Sequence, residues 1–268
     1  MKIARFTHGD VTAWGRIEGA TMLCSPTPMS LREIALAAES LLSVRVPLDE
    51  VTLRAPVLAD TKILCVGLNY HDHVRETGRE LPEKPMIFTR YPDSLVGHGE
   101  TMVIPAASHR LDYEAELAIV IGTEGRAIDS SSALDHVLGY TVLNDGSVRD
   151  FQRHTSQFTP GKNFDKSGAV GPWITTKDDV GDLASKRIEL RIDGELLQSS
   201  TLDQLIFGVA ELVAYVSTFT TLRPGDLIAT GTPGGVGSAR TPHRWLRSGE
   251  LVEVSIDGVG QLANPIGD

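Results

Sequence analysis

The stretch "LDYEAELAIVIG", residues 111–122, sets Glu114 and Glu116 at the mouth of an almost wholly apolar run. Side chains alternate faces along an extended chain, so positions two apart share a face, spaced roughly 7 Å along the strand. Glu114 and Glu116 therefore point the same way as Ala118 and Val120, while Tyr113, Ala115, Leu117 and Ile119 point the other. A strand that is apolar on both faces is normally buried on both. Two carboxylates at the edge of a core repel and desolvate each other unless a cation neutralises them. Hard divalent ions such as Mg²⁺ take oxygen ligands of this kind. The competing reading is a solvated strand end, with burial beginning at Leu117.

A third carboxylate ends another short apolar strand: in "VLGYTVLNDGSVRDFQ", Asn144-Asp145 precede Gly146. Functional groups collect where strand ends face loops; a turn residue or helix cap is the competing reading of Asp145. In "NYHDHVRETG", His73 and Glu76 are i and i+3, neighbours on one helical face. That spacing lets a carboxylate orient an imidazole that acts as a base; a solvated, charged helix start is the alternative. Two tempting signatures fail. "FTPGKNFD" contains Gly161-Lys162, but Ser156 stands where a phosphate loop needs its first glycine, and Asn163 where it needs Ser or Thr. "TGTPGGVG", 230–237, has no lysine and no dinucleotide-binding register. It reads as a tight loop whose backbone approaches a ligand.

The elements that must position these groups come from a chain of 268 residues, 41% hydrophobic and 22% charged. That is the composition of a globular protein with one large domain, or a large one and a small one. The net charge is −10 with lysines and arginines scattered singly, which offers no basic stripe to nucleic acid. Membrane partners are not expected either, because the apolar runs are too short for a span. The start lacks a signal-peptide pattern. Cys24 and Cys65 stand far apart among apolar neighbours and read as reduced thiols, so a cytoplasmic protein is expected.

Residues 1–58 read as a small N-terminal α/β module, with strands at 2–6 and 11–18 and a helix at 30–42. Ser30, followed by Glu33, caps that helix. "KILCVGLNY" reads as a buried strand, and further strands are expected at 85–89, 115–122, 139–144, 171–175 and 226–230. Helices are expected at 130–138 and 202–218, and hairpins turn at Asp193-Gly194 and Asp257-Gly258. Segment 77–100, rich in Pro, Gly and charge around one apolar island, reads as a mobile loop.

Five blocks, "ILCVGLNYHDHVRE", "DYEAELAIVIG", "GYTVLNDGSVRD", "QFTPGKNFD…GPW" and "TGTPGGVG", run in this order from about residue 62 to the C-terminus. Together they resemble the signature blocks of the fumarylacetoacetate hydrolase family. The resemblance implies an α+β fold, a mixed β-sandwich roll with flanking helices, on residues 59–268, and a homodimer. It places Mg²⁺ or Mn²⁺ on Glu114, Glu116 and Asp145, and a water-activating pair on His73 and Glu76, carried by a segment that folds over the substrate. Lys162 falls on the lysine at the substrate's oxyanion, and Arg149, Gln152 and Thr232 on substrate contacts. Many relatives carry a lysine where this chain has Arg90, and Arg90 is left outside the expected site.

The family's substrates are small 2-oxo acids, whose enolate a bound cation stabilises. The resemblance thus implies hydrolysis of a C–C bond in a 2,4-dioxo acid of the acylpyruvate type. Isomerisation of a hydroxymuconate-type diacid and decarboxylation of oxaloacetate, through the same enolate, are the alternatives. A non-catalytic metal- or metabolite-binding protein is the remote one.

Overall fold

In the computed structural model, which describes residues 1–268, every residue of the Ala115–Ile121 strand is buried. Its two faces enter different cores: Ala115, Leu117, Ile119 and Ile121 join a cluster of 38 buried residues, Ala118 and Val120 one of 19. The strand runs through a twelve-stranded mixed sheet, antiparallel to Val137–Asn144 on one side and to Leu227–Ala229 on the other. Past Leu227–Ala229 come Ile63–Gly67, parallel, and Met86–Arg90, antiparallel. Past Val137–Asn144 comes Gly168–Thr176, and onto its far edge the N-terminal strands add, Lys2 opposite Thr175 and Ile3 opposite Ile174.

A second sheet of five strands is ordered Glu195–Thr201, Arg187–Ile192, Leu251–Ile256, Gly260–Gly267, Met102–Val103. Its inward residues, among them Ile188, Leu190, Val252 and Val254, pack into the larger core together with the first sheet. The helix Val209–Phe219 lays Leu212, Val213 and Val216 into the same core. The fold is therefore α+β and dominated by sheet, as expected. Both aspartate–glycine hairpins form; Asp193 and Gly194 hold φ of 50° and 82°, the positive values that a type I′ turn needs. No helix is long and apolar enough to cross a membrane, and Cys24 and Cys65 are buried and unpaired.

Three expected helices come out shorter, each for a tertiary reason. The capping box at Ser30 and Glu33 forms, but the helix Leu31–Leu36 stops early and a 3-10 turn, Glu39–Leu41, follows. The guanidinium of Arg16, on the neighbouring strand, collects the carbonyls of Ile34, Ala35 and Ala37, acceptors that the helix end would otherwise leave open. At 130–138 only a 3-10 turn, Ala133–His136, forms, because the chain enters the sheet at Val137, opposite Ile121. At 202–218 the α-helix starts at Val209. The backbone amides of Ile206 and Phe207 are already spent on the carbonyl and side-chain oxygens of Asn69. Segment 77–100 is likewise no continuous loop: Met86–Arg90 pairs with Ile63–Gly67, and Leu95 and Val96 pair with Gly168 and Ala169.

Candidate metal and substrate site

Register brings the three carboxylates together. Ala115 lies opposite Asn144, so Glu114 and Asp145 flank one pair at the end of the ladder. The Asp145 amide donates to the Glu114 carbonyl (2.9 Å), and the Asn144 side-chain oxygen accepts from the Glu114 amide (3.0 Å). Carboxylate oxygens of Glu114, Glu116 and Asp145 lie within 4.8 Å of one another, all buried.

Cations interleave with them. Lys162 Nζ reaches Glu114 at 2.6 Å and Asp145 at 2.5 Å, Arg149 Nη2 reaches Glu114 at 2.7 Å, and Arg90 Nη1 reaches Asp145 at 2.5 Å. Burial alone would raise the Glu114 carboxyl, but Arg149 and Lys162 overcome it and hold Glu114 well below the usual carboxylate range. Burial likewise works against the Lys162 ammonium, and Asp145 and Glu114 outweigh it, so Lys162 stays charged. Glu116 has no cation of its own; its one donor is the Gly231 amide at 2.9 Å. Burial, with Asp145 and Glu114 close by, pushes the Glu116 carboxyl well up.

With Asp112, which pairs with Arg149 at 2.7 Å, the cluster holds four carboxylates against three cations. With all four ionised, one negative charge is left uncompensated, and it falls on Glu116, the carboxyl that burial pushes toward its protonated form while no cation is bound. Three convergent hard oxygens and an uncompensated charge fit a divalent cation of the Mg²⁺ or Mn²⁺ class.

His73 and Glu76 lie on the helix His71–Thr77, which closes on Gly78. His73 Nδ1 is 3.3 Å from one Glu76 oxygen. A carboxylate acceptor at Nδ1 selects the neutral tautomer that carries its proton on Nδ1 and its lone pair on Nε2. The other Glu76 oxygen accepts the Gly235 amide at 2.9 Å. The glycine-rich loop thus serves three acids: Gly231 donates to Glu116, Gly235 to Glu76, and Gly237 and Ser238 to Asp112. At Gly235 the φ is +100° and a Cβ would sit 2.3 Å from the Leu197 carbonyl, so only glycine lets the loop pass there.

These groups enclose a cavity of about 110 Å³, and eight of the nine residues expected at the site line it. The ninth, Glu76, stands behind His73. Gln152 is held by Arg149 Nη1 at 2.9 Å and Thr232 by Gln198 Nε2 at 2.9 Å. Arg79 and Arg153, both exposed, stand at the rim.

Two functional-site residues escaped the sequence reading. Arg90, set outside the site, is almost wholly buried in it and uses all five guanidinium N–H groups. Nε goes to the Ser94 hydroxyl, Nη1 to Asp145 and the Gly146 carbonyl, and Nη2 to the Ser94 carbonyl and Ser167 hydroxyl. Its partners lie up to 77 positions away, so no local pattern reveals it. Arg90→Met should destabilise the metal-free protein by about 3–5 kcal/mol in urea denaturation, the usual effect of stripping a buried charge of its partner. An unchanged midpoint would show that Asp145 does not depend on the pair. Asp112 did leave a signal: Asp112, Glu114 and Glu116 occupy every second position, one run of acids rather than a pair.

Comparison with known proteins bears on family and fold. The fumarylacetoacetate (FAA) hydrolase C-terminal family matches residues 62–267, and the Rv2993c-like, N-terminal family matches residues 1–56. The oxaloacetate tautomerase YisK of Bacillus subtilis is 43% identical over 224 residues, 82% of this chain and 74% of the relative. Human oxaloacetate tautomerase FAHD2A is 42% identical over 240 residues, 89% of this chain and 76% of the relative. Among solved structures, a fumarylacetoacetate hydrolase from Exiguobacterium antarcticum superposes with a TM-score of 0.88 at 37% identity, covering 100% of this chain and 99% of that one. A 5-carboxymethyl-2-hydroxymuconate delta-isomerase from Mycobacterium smegmatis gives 0.86 at 32%, with 100% and 99% covered. The maleylpyruvate hydrolase of Sphingobium sp. SYK-6 gives 0.81 at 29%, again with 100% and 99% covered. On the family match over residues 62–267 and the shared fold, the chain belongs to the fumarylacetoacetate hydrolase family.

Proposed function

We propose that this protein is a divalent-cation-dependent enzyme that interconverts the keto and enol forms of a small 2-oxo diacid of the oxaloacetate class. The observation that carries the reading is the charge of the buried cluster. Four carboxylates and three cations leave one negative charge, so a divalent cation turns the site positive by one, and a single substrate carboxylate makes it neutral. A second carboxylate needs further cations, and Arg79 and Arg153 wait at the rim. A cavity of about 110 Å³ suits an acid of a few carbons, being room for about four waters at liquid density. The oxaloacetate tautomerases at 42–43% identity support the same substrate class.

A cation held by Glu114, Glu116 and Asp145 would supply Lewis-acid polarisation of the 2-oxo group. The protein's own groups do the rest. His73, which lines the cavity with Nδ1 held by Glu76, takes the C3 proton at Nε2. The C3–H electron pair becomes the C2–C3 double bond, and negative charge moves to the C2 oxygen. Lys162, on the cavity wall, would place positive charge beside that oxygen before the reaction starts, and Arg149 would meet the adjoining carboxylate. A proton delivered to the oxygen gives the enol, and the reverse sequence regenerates the ketone. The experiment is to follow the near-ultraviolet absorbance of enol-oxaloacetate with Mg²⁺ and with chelator. Accelerated decay only with Mg²⁺ is the expected outcome; decay no faster than buffer plus Mg²⁺ would rule the reading out.

The second reading is hydrolysis of a 2,4-dioxo acid at C3–C4. It is favoured by the His73–Glu76 pair, equally suited to deprotonating a water, and by the fold shared with the maleylpyruvate hydrolase. Release of pyruvate from an acylpyruvate would move it ahead.

A further inference from the structure

Asp112 touches neither the proposed cation nor the cavity, yet it is fully buried and accepts four hydrogen bonds. One oxygen takes the Tyr113 amide (2.9 Å) and the Gly237 amide (2.8 Å); the other takes Arg149 Nε (2.7 Å) and the Ser238 amide (2.9 Å). Every lone pair is matched, and no water is needed. The approach is tight: a Cβ on Gly237 would lie 2.5 Å from the Asp112 oxygen and 1.8 Å from the Arg244 carbonyl. The antiparallel pairing of Leu111 with Val148 and of Asp112 with Ser147 sets Asp112 opposite the residue two before Arg149.

The consequence falls on Arg149. Its guanidinium has three carboxylate or amide partners: Asp112 on Nε, Gln152 on Nη1 and Glu114 on Nη2. Gln152 and Glu114 line the cavity, where substrate and cation would compete for them. Asp112 lies outside it and is anchored on three backbone amides, so it is the fixed point about which the guanidinium plane is set. The same carboxylate oxygen also fixes the amide of Ser238, another residue of the cavity wall.

We propose that Asp112 is a positioning residue that acts through Arg149, holding the guanidinium at the angle from which it meets the carboxylate of a 2-oxo acid. This rests on the function proposed above. A guanidinium recognises a carboxylate through a planar fork, so its orientation, not its charge alone, carries the affinity. A bare structural role for Asp112 would instead weaken the protein without regard to Arg149.

The test is a double-mutant cycle read by calorimetry, with oxalate titrated into Mn²⁺-saturated protein. Wild type, Asp112→Asn, Arg149→Ala and the double variant are compared. Asp112→Asn should weaken oxalate by about tenfold or more, the usual worth of one hydrogen bond to a charged group; because it also removes a negative charge from the cluster, Mn²⁺ is kept saturating for every variant. In the Arg149→Ala background the same substitution should change oxalate affinity by less than about twofold. Equal losses in both backgrounds would overturn the proposal. Arg149→Lys gives an independent arm, since it keeps the charge but not the fork. It should lose oxalate nearly as far as Arg149→Ala; wild-type affinity there would also overturn the proposal. Failure of wild type itself to bind oxalate would fall on the function reading and carry this one with it.

Discussion

Glu116→Gln is expected to lower metal-dependent activity by about 10³-fold or more, since a Lewis-acid cation supplies several kcal/mol to such a reaction. The same substitution should make the metal-free protein more stable. Glu116 is a buried carboxyl without a cation partner, and burial together with Asp145 and Glu114 raises its proton affinity. Below the unfolded carboxyl pKa of about 4.3, Glu116 is protonated folded or unfolded and costs nothing. As pH climbs from there through the raised folded value, the unfolded chain gives up its proton first, and stability is lost. Glutamine has no such titration. In chelator, the melting temperature of the variant should therefore exceed that of wild type at neutral pH, by roughly 2–4 °C per kcal/mol relieved, and the gap should close toward pH 4. With Mg²⁺ the order should reverse, because only wild type gains from binding the ion. A variant that keeps normal turnover would remove Glu116 from the ligand set.

The second large effect separates the base from the cation. His73→Ala should reduce enol–keto interconversion by roughly two to four orders of magnitude, the range of general-base loss. Decarboxylation of oxaloacetate needs an electron sink but no proton acceptor at C3, since CO₂ leaves with no base attacking. Any Mg²⁺-dependent decarboxylation by the protein should therefore fall far less, by about tenfold at most. The two functions sit on different elements: the dyad on the helix His71–Thr77, the carboxylates at the ends of Ala115–Ile121 and Val137–Asn144. The comparison needs kcat/KM for both reactions in the same preparation. Equal losses would mean that His73 holds the site together instead of moving a proton.

What could be read from the sequence follows the range of the forces involved. The strand Ala115–Ile121 was legible because its alternation is local and each face meets its own core. The hairpin at Asp193-Gly194 was legible because the turn's positive φ values select the residues. The helix ends were not. Arg16 halting the Leu31–Leu36 helix, and Asn69 occupying the amides of Ile206 and Phe207, are contacts between distant segments. The same holds within the site. His73 and Glu76 are one helical turn apart and could be paired by spacing, whereas Arg90 reaches Asp145 across 55 positions. Asp112 was visible as a third alternating acid, but nothing in its spacing says that it faces Arg149, 37 positions on, and not the cation.

The proposed activity requires that Glu114, Glu116 and Asp145 hold one divalent cation that meets a 2-oxo acid. Electron paramagnetic resonance of Mn²⁺ bound to the purified protein tests this most directly. The predicted result is one Mn²⁺ per chain, a spectrum altered by stoichiometric oxalate, and neither signal in Glu116→Gln. Mn²⁺ that binds Glu116→Gln as tightly as wild type, or a bound spectrum that oxalate leaves unchanged, would contradict it.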